Sequence, residues 1–439
     1  MSRSAPAARL LPRVLAGLLL AAPALAGAPE GDASGLLRQA VVLGCPEGGT
    51  AALLGVLPGA RLVASEAIGP EAAPVGRRER LALAGGGALV LERLAPGGIL
   101  RRFTASYEEP HGEGTRPRLL ALADGGCRIV QGRALDWHAF PAPDGSENGG
   151  GPDRLVLLAA DLTGALAAEP LDPPVPPGRD PEGVTVAQVD AGVAYDLPAI
   201  AGRLARDAGG EALGYDWWDL DPRPYDANPA VSPFFPARHG TEVAGLLLAE
   251  APGVRLVPYR YPRPDMGRMA AVVEAAARAG AGIVALPMGS NSRDLWEAFL
   301  AAAGAHPEML FVVSAGNDGR DIDERPVWPA AAGLDNLLTV TSSEADGRLA
   351  PGSNWGAESV DLLVPAERQA VVDYRGRPHL ASGSSFAVPR IAALAARLKA
   401  RHPDWQAAAL KRAILALAEP PPRAGLVKAG WIRDPLAAP

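Results

Sequence analysis

The rhythm of apolar and polar positions changes near residue 180. Before it, from about Gln39 to Leu162, apolar residues come in short runs: 81–84, 88–94, 99–107, 118–123, 128–132 and 154–162. Gly85-Gly86-Gly87, Pro96-Gly97-Gly98 and Asp124-Gly125-Gly126 separate them. Runs of that length between glycine turns predict an antiparallel sheet with little helix. Residues 144–152 form a polar Gly/Asn/Ser loop, and the lone His111 reads as part of a surface loop.

After residue 180, apolar runs without alternation occur at 184–189, 254–257, 283–286, 309–313 and 337–340. Such runs read as strands buried on both faces. Segments 241–250, 266–279, 386–399 and 403–418 carry helical spacing. Strands and helices therefore alternate. The pattern predicts an α/β fold, a doubly wound parallel sheet with helices on both faces, preceded by a β-rich N-terminal domain. Half of the residues from 170 to 181 are proline, a composition that favours an extended, semi-rigid spacer. The expected division is 1–26, 27–165 (β-rich domain), 166–183 (proline-rich linker) and 184–439 (α/β domain). In open sheets of this kind, ligands bind beyond the carboxyl ends of the strands.

Composition narrows the function classes. A chain of 439 residues exceeds one ordinary domain, and 48% hydrophobic with 21% charged residues excludes a mainly disordered chain. The net charge is −7 and no Lys/Arg-rich run occurs, so nucleic acid is not an expected partner. Arg3, Arg9 and Arg13 precede a short apolar run at 14–22, and Ala24-Leu25-Ala26 supplies a small-x-small cleavage pattern. That is the form of an export signal, too short to span a bilayer. A periplasmic or extracellular location is expected, with no membrane contact once residues 1–26 are removed. Cys45 and Cys127 are the two cysteines; in an exported chain they are candidates for a disulfide, the other reading being two buried thiols.

Three short motifs carry candidate chemistry. Asp190-Ala191-Gly192 places a carboxylate just past a buried strand. His239-Gly240-Thr241-Glu242-Val243-Ala244-Gly245 places a histidine at a helix start, and Gly383-Ser384-Ser385-Phe386-Ala387-Val388-Pro389 places a serine at another, with proline expected in its first turn. Each alone has an ordinary structural reading. Together they have a chemical logic. A serine hydroxyl needs an adjacent base, histidine titrates near neutral pH, and a carboxylate fixes its tautomer.

With these motifs in the order Asp, His, Ser, the sequence resembles the subtilisin-like serine protease family (subtilases) over about 184–436. The resemblance implies a subtilisin-like fold. It also implies that Asp190 orients His239, that His239 acts as base and then acid, and that Ser385 forms an acyl-enzyme with a peptide or protein substrate. Ser314-Ala315-Gly316-Asn317-Asp318 matches a fourth family motif, implying that the Asn317 amide joins the Ser385 N–H in an oxyanion hole. Pro287-Met288-Gly289 and Ser314-Ala315-Gly316 would line the substrate, with proline removing one backbone donor. Ala191 and Ser384 are small departures from the family pattern. The segment from Asp219 to Pro236 lengthens the Asp190–His239 spacing. Its surroundings hold Asp216, Asp219, Asp221 and Asp226, for which calcium coordination, pairing with basic substrate side chains, or simple solvation are the alternatives. Trp217 and Trp218 read as core or cleft wall. The implied chemistry requires no cofactor and no metal ligands. A catalytically silent peptide-binding homologue and an esterase are the competing readings, although the lack of a GxSxG elbow counts against an α/β-hydrolase. Relatives commonly carry a propeptide, so the N-terminal domain is either a propeptide or an accessory domain. Oligomeric state is not legible.

Overall fold

The computed structural model describes residues 31–137 and 151–438. The segment expected to be an export signal and most of the 144–152 loop lie outside the described residues. The described residues open with two helices, α1 (Gly31–Gly44) and α2 (Gly49–Val56). Eight strands follow: β1 (Arg61–Ile68), β2 (Gly76–Ala82), β3 (Ala88–Leu94), β4 (Arg102–His111), β5 (Gly114–Asp124), β6 (Ile129–Asp136), β7 (Arg154–Leu158) and β8 (Ala165–Pro170). They pair in chain order as one antiparallel meander, so this domain is β-rich as expected. The helices correct the expectation of little helix. Leu37, Ala40 and Val41, at i, i+3 and i+4, bury one helical stripe against Leu91, Phe103 and Leu119 of the sheet. His111 is exposed at the β4–β5 turn.

Strand β8 corrects the start of the linker. Residues 165–170 pair with β7 from Leu158↔Ala165 to Arg154↔Pro170. The rest of the proline-rich stretch is pinned along the α/β domain. Tyr195 donates to the Pro173 carbonyl at 2.5 Å, Arg206 donates to the Pro176 carbonyl at 2.6 Å, and the Arg206 N–H donates to Asp180 at 2.6 Å. An extended proline-rich chain makes no internal hydrogen bonds, so its carbonyls are free to accept from neighbours.

The second domain contains β9 (Val184–Asp190), α3 (Pro198–Ala201), β10 (Tyr215–Asp216), α4 (Gly240–Glu250), β11 (Val254–Arg260), α5 (Met269–Arg278), β12 (Ile283–Leu286) and α6 (Glu297–Ala305). It continues with β13 (Leu310–Ser314), β14 (Leu337–Ser343), β15 (Leu362–Pro365), the hairpin β16 (Gln369–Val372) and β17 (Pro378–Ala381), then α7 (Ser384–Arg401), α8 (Ala407–Leu415) and β18 (Gly430–Trp431). The sheet order is β10-β11-β9-β12-β13-β14-β15-β18, with every pair parallel. Alternate residues of the strands feed two cores. Val186, Ala285, Val312 and Val340 meet α4, α7 and α8, whereas Ala187, Val284, Phe311 and Val313 meet α5 and α6. This explains the apolar runs without alternation: both faces are covered.

Helix α7 begins at Ser384, so Pro389 falls in its second turn rather than its first. The missing N–H therefore leaves the Ser385 carbonyl without an i+4 helical partner.

A disulfide joins Cys45, at the end of α1, to Cys127 in the β5–β6 turn, with Cα atoms 5.7 Å apart and a sequence separation of 82. Replacing both cysteines with alanine is expected to lower the unfolding free energy of this domain by about 4 kcal/mol, from loop-closure entropy. Denaturant unfolding of the paired and substituted proteins, followed by near-UV signals, checks the shift.

Candidate active site

The sheet places the motifs at one edge. Strand β9 ends at Asp190, β12 runs into Pro287-Met288-Gly289, and β13 runs into Ser314-Ala315-Gly316-Asn317. His239 precedes α4, and Ser385 is the second residue of α7. Parallel strands on either side of β9 belong to β11 and β12, so Asp190 stands where the strand order reverses, the usual crevice of such sheets.

Asp190 is only 5% exposed, and its carboxylate faces Nδ1 of His239 at 2.8 and 2.9 Å. The Ala191 N–H donates to the same carboxylate at 2.6 Å. With the Nδ1 proton held by Asp190, Nε2 is left as the basic nitrogen. Close approach of α4 makes this contact. A Cβ on Gly240 would fall onto the Gly192 carbonyl and within 3.1 Å of the Asp190 side chain, so no larger residue fits after His239. Gln188 further secures the turn, donating to the Gly240 carbonyl at 2.7 Å.

Asp226 completes the histidine's seat. Its buried carboxylate accepts from the His239 N–H at 3.1 Å, the Thr241 N–H at 3.0 Å and the Thr241 hydroxyl at 2.6 Å. It thus caps α4 from a distant part of the chain, satisfying amides that the helix leaves free. Burial pushes the Asp226 carboxyl up, against the pull of these donors. For His239, burial disfavours the imidazolium. The Asp190 carboxylate, supported by Asp226 and Glu242, outweighs that and raises the group from 6.5 to about 9.

Ser385 is half-buried, and its hydroxyl donates to the Pro287 carbonyl at 3.3 Å; among the described residues this is its hydrogen bond, and none joins it to His239. The following residue, Phe386, brings its ring to 6.1 Å from the imidazole. Asn317 lies across the start of α7. Its Oδ1 accepts from the Ser384 N–H and the Ser384 hydroxyl, each at 2.9 Å. A backbone N–H can face only the oxygen of an amide, so the Asn317 Nδ2 donor points to the other side. Gly383 has φ 127°, and a Cβ there would sit 3.3 Å from Asn317, so this position suits glycine alone. The Ser385 N–H is one of the first helical amides and has no partner within the helix.

Ser314 differs from its expected substrate role. It is 3% exposed, and its hydroxyl lies 2.7 Å from that of Ser384. Because Ser384 donates to Asn317, Ser314 donates to Ser384 and accepts in turn from the Gly316 N–H at 3.2 Å. A directional chain of hydroxyls therefore orients Asn317. Ala315 is buried, while Gly316, Met288 and Gly289 reach the surface of the cleft; Pro287 is buried but offers its carbonyl.

Apart from Asp226, the acidic residues of this stretch are engaged by arginines. Asp216 and Asp219 pair with Arg260 at 2.7 and 2.8 Å, and Asp221 pairs with Arg223 at 3.3 Å. Among the described residues no group of three or more His, Cys, Asp or Glu is arranged to hold a metal ion. Trp218 packs edge-on to Tyr261, and Trp217 to Tyr215, both against the second core. The sequence reading missed the capping role of Asp226 and the Ser314–Ser384 relay. The Ser-x-x-Asn spacing was visible, but no local pattern links residues 226 and 239.

The family model Peptidase_S8, described as the subtilase family, matches residues 181–430, more than half of the chain. The chain belongs to the subtilase family. It is similar to Subtilisin-like protease 1 of Arthroderma otae, at 27% identity over 234 residues covering 50% of this chain and 44% of that protein. Alkaline serine exoprotease A of Vibrio alginolyticus is 28% identical over 237 residues, covering 52% of this chain and 40% of that protein. This subtilase spans less than half the length of these relatives. The solved structure of a cold-adapted subtilisin-like serine proteinase aligns with a TM-score of 0.47 and 22% identity, covering 61% of this chain and 94% of that chain. The region matched by the subtilase family model begins in the linker and ends at β18, so α1 to β8 lie outside it.

The elevated proton affinity of His239 is directly measurable. In a Ser385→Ala protein, the imidazole is expected to titrate near 9, and Asp190→Asn added to it should bring the midpoint down. NMR of the histidine ring protons across pH reads both values.

Proposed function

We propose that this subtilase is a serine endopeptidase that hydrolyses peptide bonds through Asp190, His239 and Ser385, with an acyl-enzyme intermediate. The observation that carries the reading is the buried Asp190 carboxylate on His239 Nδ1, which leaves Nε2 basic beside the α7 start that bears Ser385. In the proposed first step, Ser385 Oγ bonds to the substrate carbonyl carbon as its proton passes to Nε2. The C–N bond then breaks, and Nε2 gives that proton to the leaving amine. Water then bonds to the ester carbonyl carbon as one of its protons passes to Nε2, the C–Oγ bond breaks, and Nε2 returns that proton to Ser385 Oγ, releasing the acid and free Ser385. Charge on the carbonyl oxygen would be met by Asn317 Nδ2 and the Ser385 N–H. A peptide would extend along Pro287-Met288-Gly289 and Ala315-Gly316, with the Pro287 carbonyl as an acceptor in place of a donor. The proposed chemistry uses these side chains and water, and no cofactor is invoked.

An exported location is part of the same proposal. The 1–26 pattern supports it, as does the Cys45–Cys127 disulfide, a bond that persists in oxidising compartments. Among the described residues, no helix is long and apolar enough to cross a membrane.

The Ser385–Pro287 bond is also what a silent, peptide-binding homologue would carry, and a fluorophosphonate probe separates the two. Labelling of wild type and loss of label in Ser385→Ala are expected; an unlabelled, folded wild type would overturn the peptidase reading. Asn317→Leu is expected to lower kcat roughly 100- to 1,000-fold with little change in KM, a magnitude established for the corresponding asparagine in subtilisin. Ser384→Ala, which removes the relay but no reacting atom, should lower kcat by about tenfold, and Ser384→Thr should restore it; steady-state kinetics on a peptide substrate read both. Because only neutral His239 can accept the serine proton, kcat/KM should climb as pH rises toward the His239 value of about 9. A limb centred near 6.5 in the pH–rate profile would contradict the assigned environment.

A further inference from the structure

We infer that the N-terminal β domain is a permanent part of the working enzyme and positions His239 through Glu169 and Arg238, rather than serving as a propeptide that is shed. The inference rests on the peptidase reading above and adds a role for residues outside the subtilase region.

The strands carry the first argument. On β5 to β7, Leu119, Ala121, Ala134, Val156 and Leu158 face the core shared with α1. The alternate residues Leu120, Leu135 and Leu155 are equally buried, but in the core of the α/β domain, together with Tyr225, Phe234, Val243 and Val371. A sheet buried on one face alternates apolar with polar; these strands are apolar on both sides, and both sides are covered. Detaching the domain would bare this leucine face and the aromatic loop it covers, an apolar patch of the kind soluble chains avoid.

The register then leads from the leucines to the histidine. Leu135 pairs with Leu155, and Leu155 pairs with Glu169, which puts all three in one row on the same face. Glu169 accepts from the Tyr374 hydroxyl at 2.8 Å, pairs with Arg375, and lies 4.0 Å from Arg238. Arg238 directly precedes His239, lies over the Tyr374 ring at 4.1 Å, and donates to the Asp226 carbonyl. Asp226 is the residue whose carboxylate holds the His239 and Thr241 amides. One row over, Leu120 pairs with Arg133, which donates to the Phe234 carbonyl at 2.8 Å and stacks over Phe235 at 4.1 Å. The domain thus holds the chain leading into His239 at Phe234, Phe235 and Arg238, where the segment that lengthens the Asp190–His239 spacing ends. Glu169 and Arg238 are positioning residues; neither touches the reacting atoms.

Two readouts on the purified, full-length secreted protein test this. The first is the intact mass of the species that fluorophosphonate labels at Ser385. A mass beginning near Gly27 and retaining residues through 183 is expected. The second is the kinetics of Glu169→Gln, which keeps the shape but loses the charge that holds Arg238 and Arg375. Its kcat is expected to fall roughly fivefold with KM unchanged, since a small displacement of the base acts on the chemical step rather than on binding. Label confined to a fragment starting near Val184, or a Glu169→Gln enzyme with wild-type kcat, would overturn the inference while leaving the peptidase reading standing. Absence of label from folded wild type would overturn both. If Glu169→Gln loses its melting transition, Tyr374→Phe, which deletes one hydroxyl, is held to the same kcat criterion.

Discussion

A buried carboxylate facing an imidazole nitrogen is the constraint around which the α/β domain is arranged. Asp190 is removed from water at the end of a central strand, where an unpaired charge would cost several kcal/mol. His239 and the Ala191 amide are its partners, and the histidine can reach it only because α4 starts against the Gly192 carbonyl with no side chain between. Glycine at 240 is thus a condition of the contact. The same proximity raises the proton affinity of the ring and fixes which nitrogen is left basic.

Holding that arrangement takes groups from several distant parts of the chain. Gln188 fixes the turn from below, Asp226 caps the helix from a loop, and the serines at 314 and 384 aim an asparagine across the start of α7. Asp226 and the two serines are short polar side chains, buried or nearly so, whose hydrogen bonds are made within the protein. Such networks rigidify a site because each bond left unmade would strand a buried polar atom.

Much of this was legible in the sequence. The continuous apolar runs announced a sheet covered on both sides, and residues 283–286 and 88–94 coincide with observed strands. The Asp190–His239 contact and the place of Asn317 across the start of α7 coincide with motifs that set these residues beside glycines or small residues permitting close approach. What failed did so for a physical reason. Helix α1 falls between the segment expected to be an export signal and the first apolar run read as a strand, and its apolar stripe gains meaning only against the sheet that covers it. The proline-rich stretch looked like a free spacer because composition reports stiffness but not what hydrogen-bonds to the carbonyls. Asp226 looked like a loop acid, since a cap supplied across thirteen residues leaves no local signature. Leu120, Leu135 and Leu155 were visible as apolar residues, but a second buried face becomes evident only with the register known.

The direction of strand β9 bears on how this chain can be cut. In a parallel sheet every strand starts at one rim and finishes at the other. Val184 therefore opens β9 on the rim remote from Ser385, at the far end of a seven-residue strand from Asp190, about 20 Å of extended chain. The peptide entering that strand is also anchored there, with Arg203 holding the Glu182 carbonyl at 3.0 Å and Arg255 holding Asp180 at 2.6 Å. A molecule would have to strip out its own central strand to bring this bond to its own nucleophile. Any scission of that junction by this chain's own nucleophile would therefore have to be a transaction between two molecules, with a rate that scales with protein concentration instead of proceeding at a fixed internal pace.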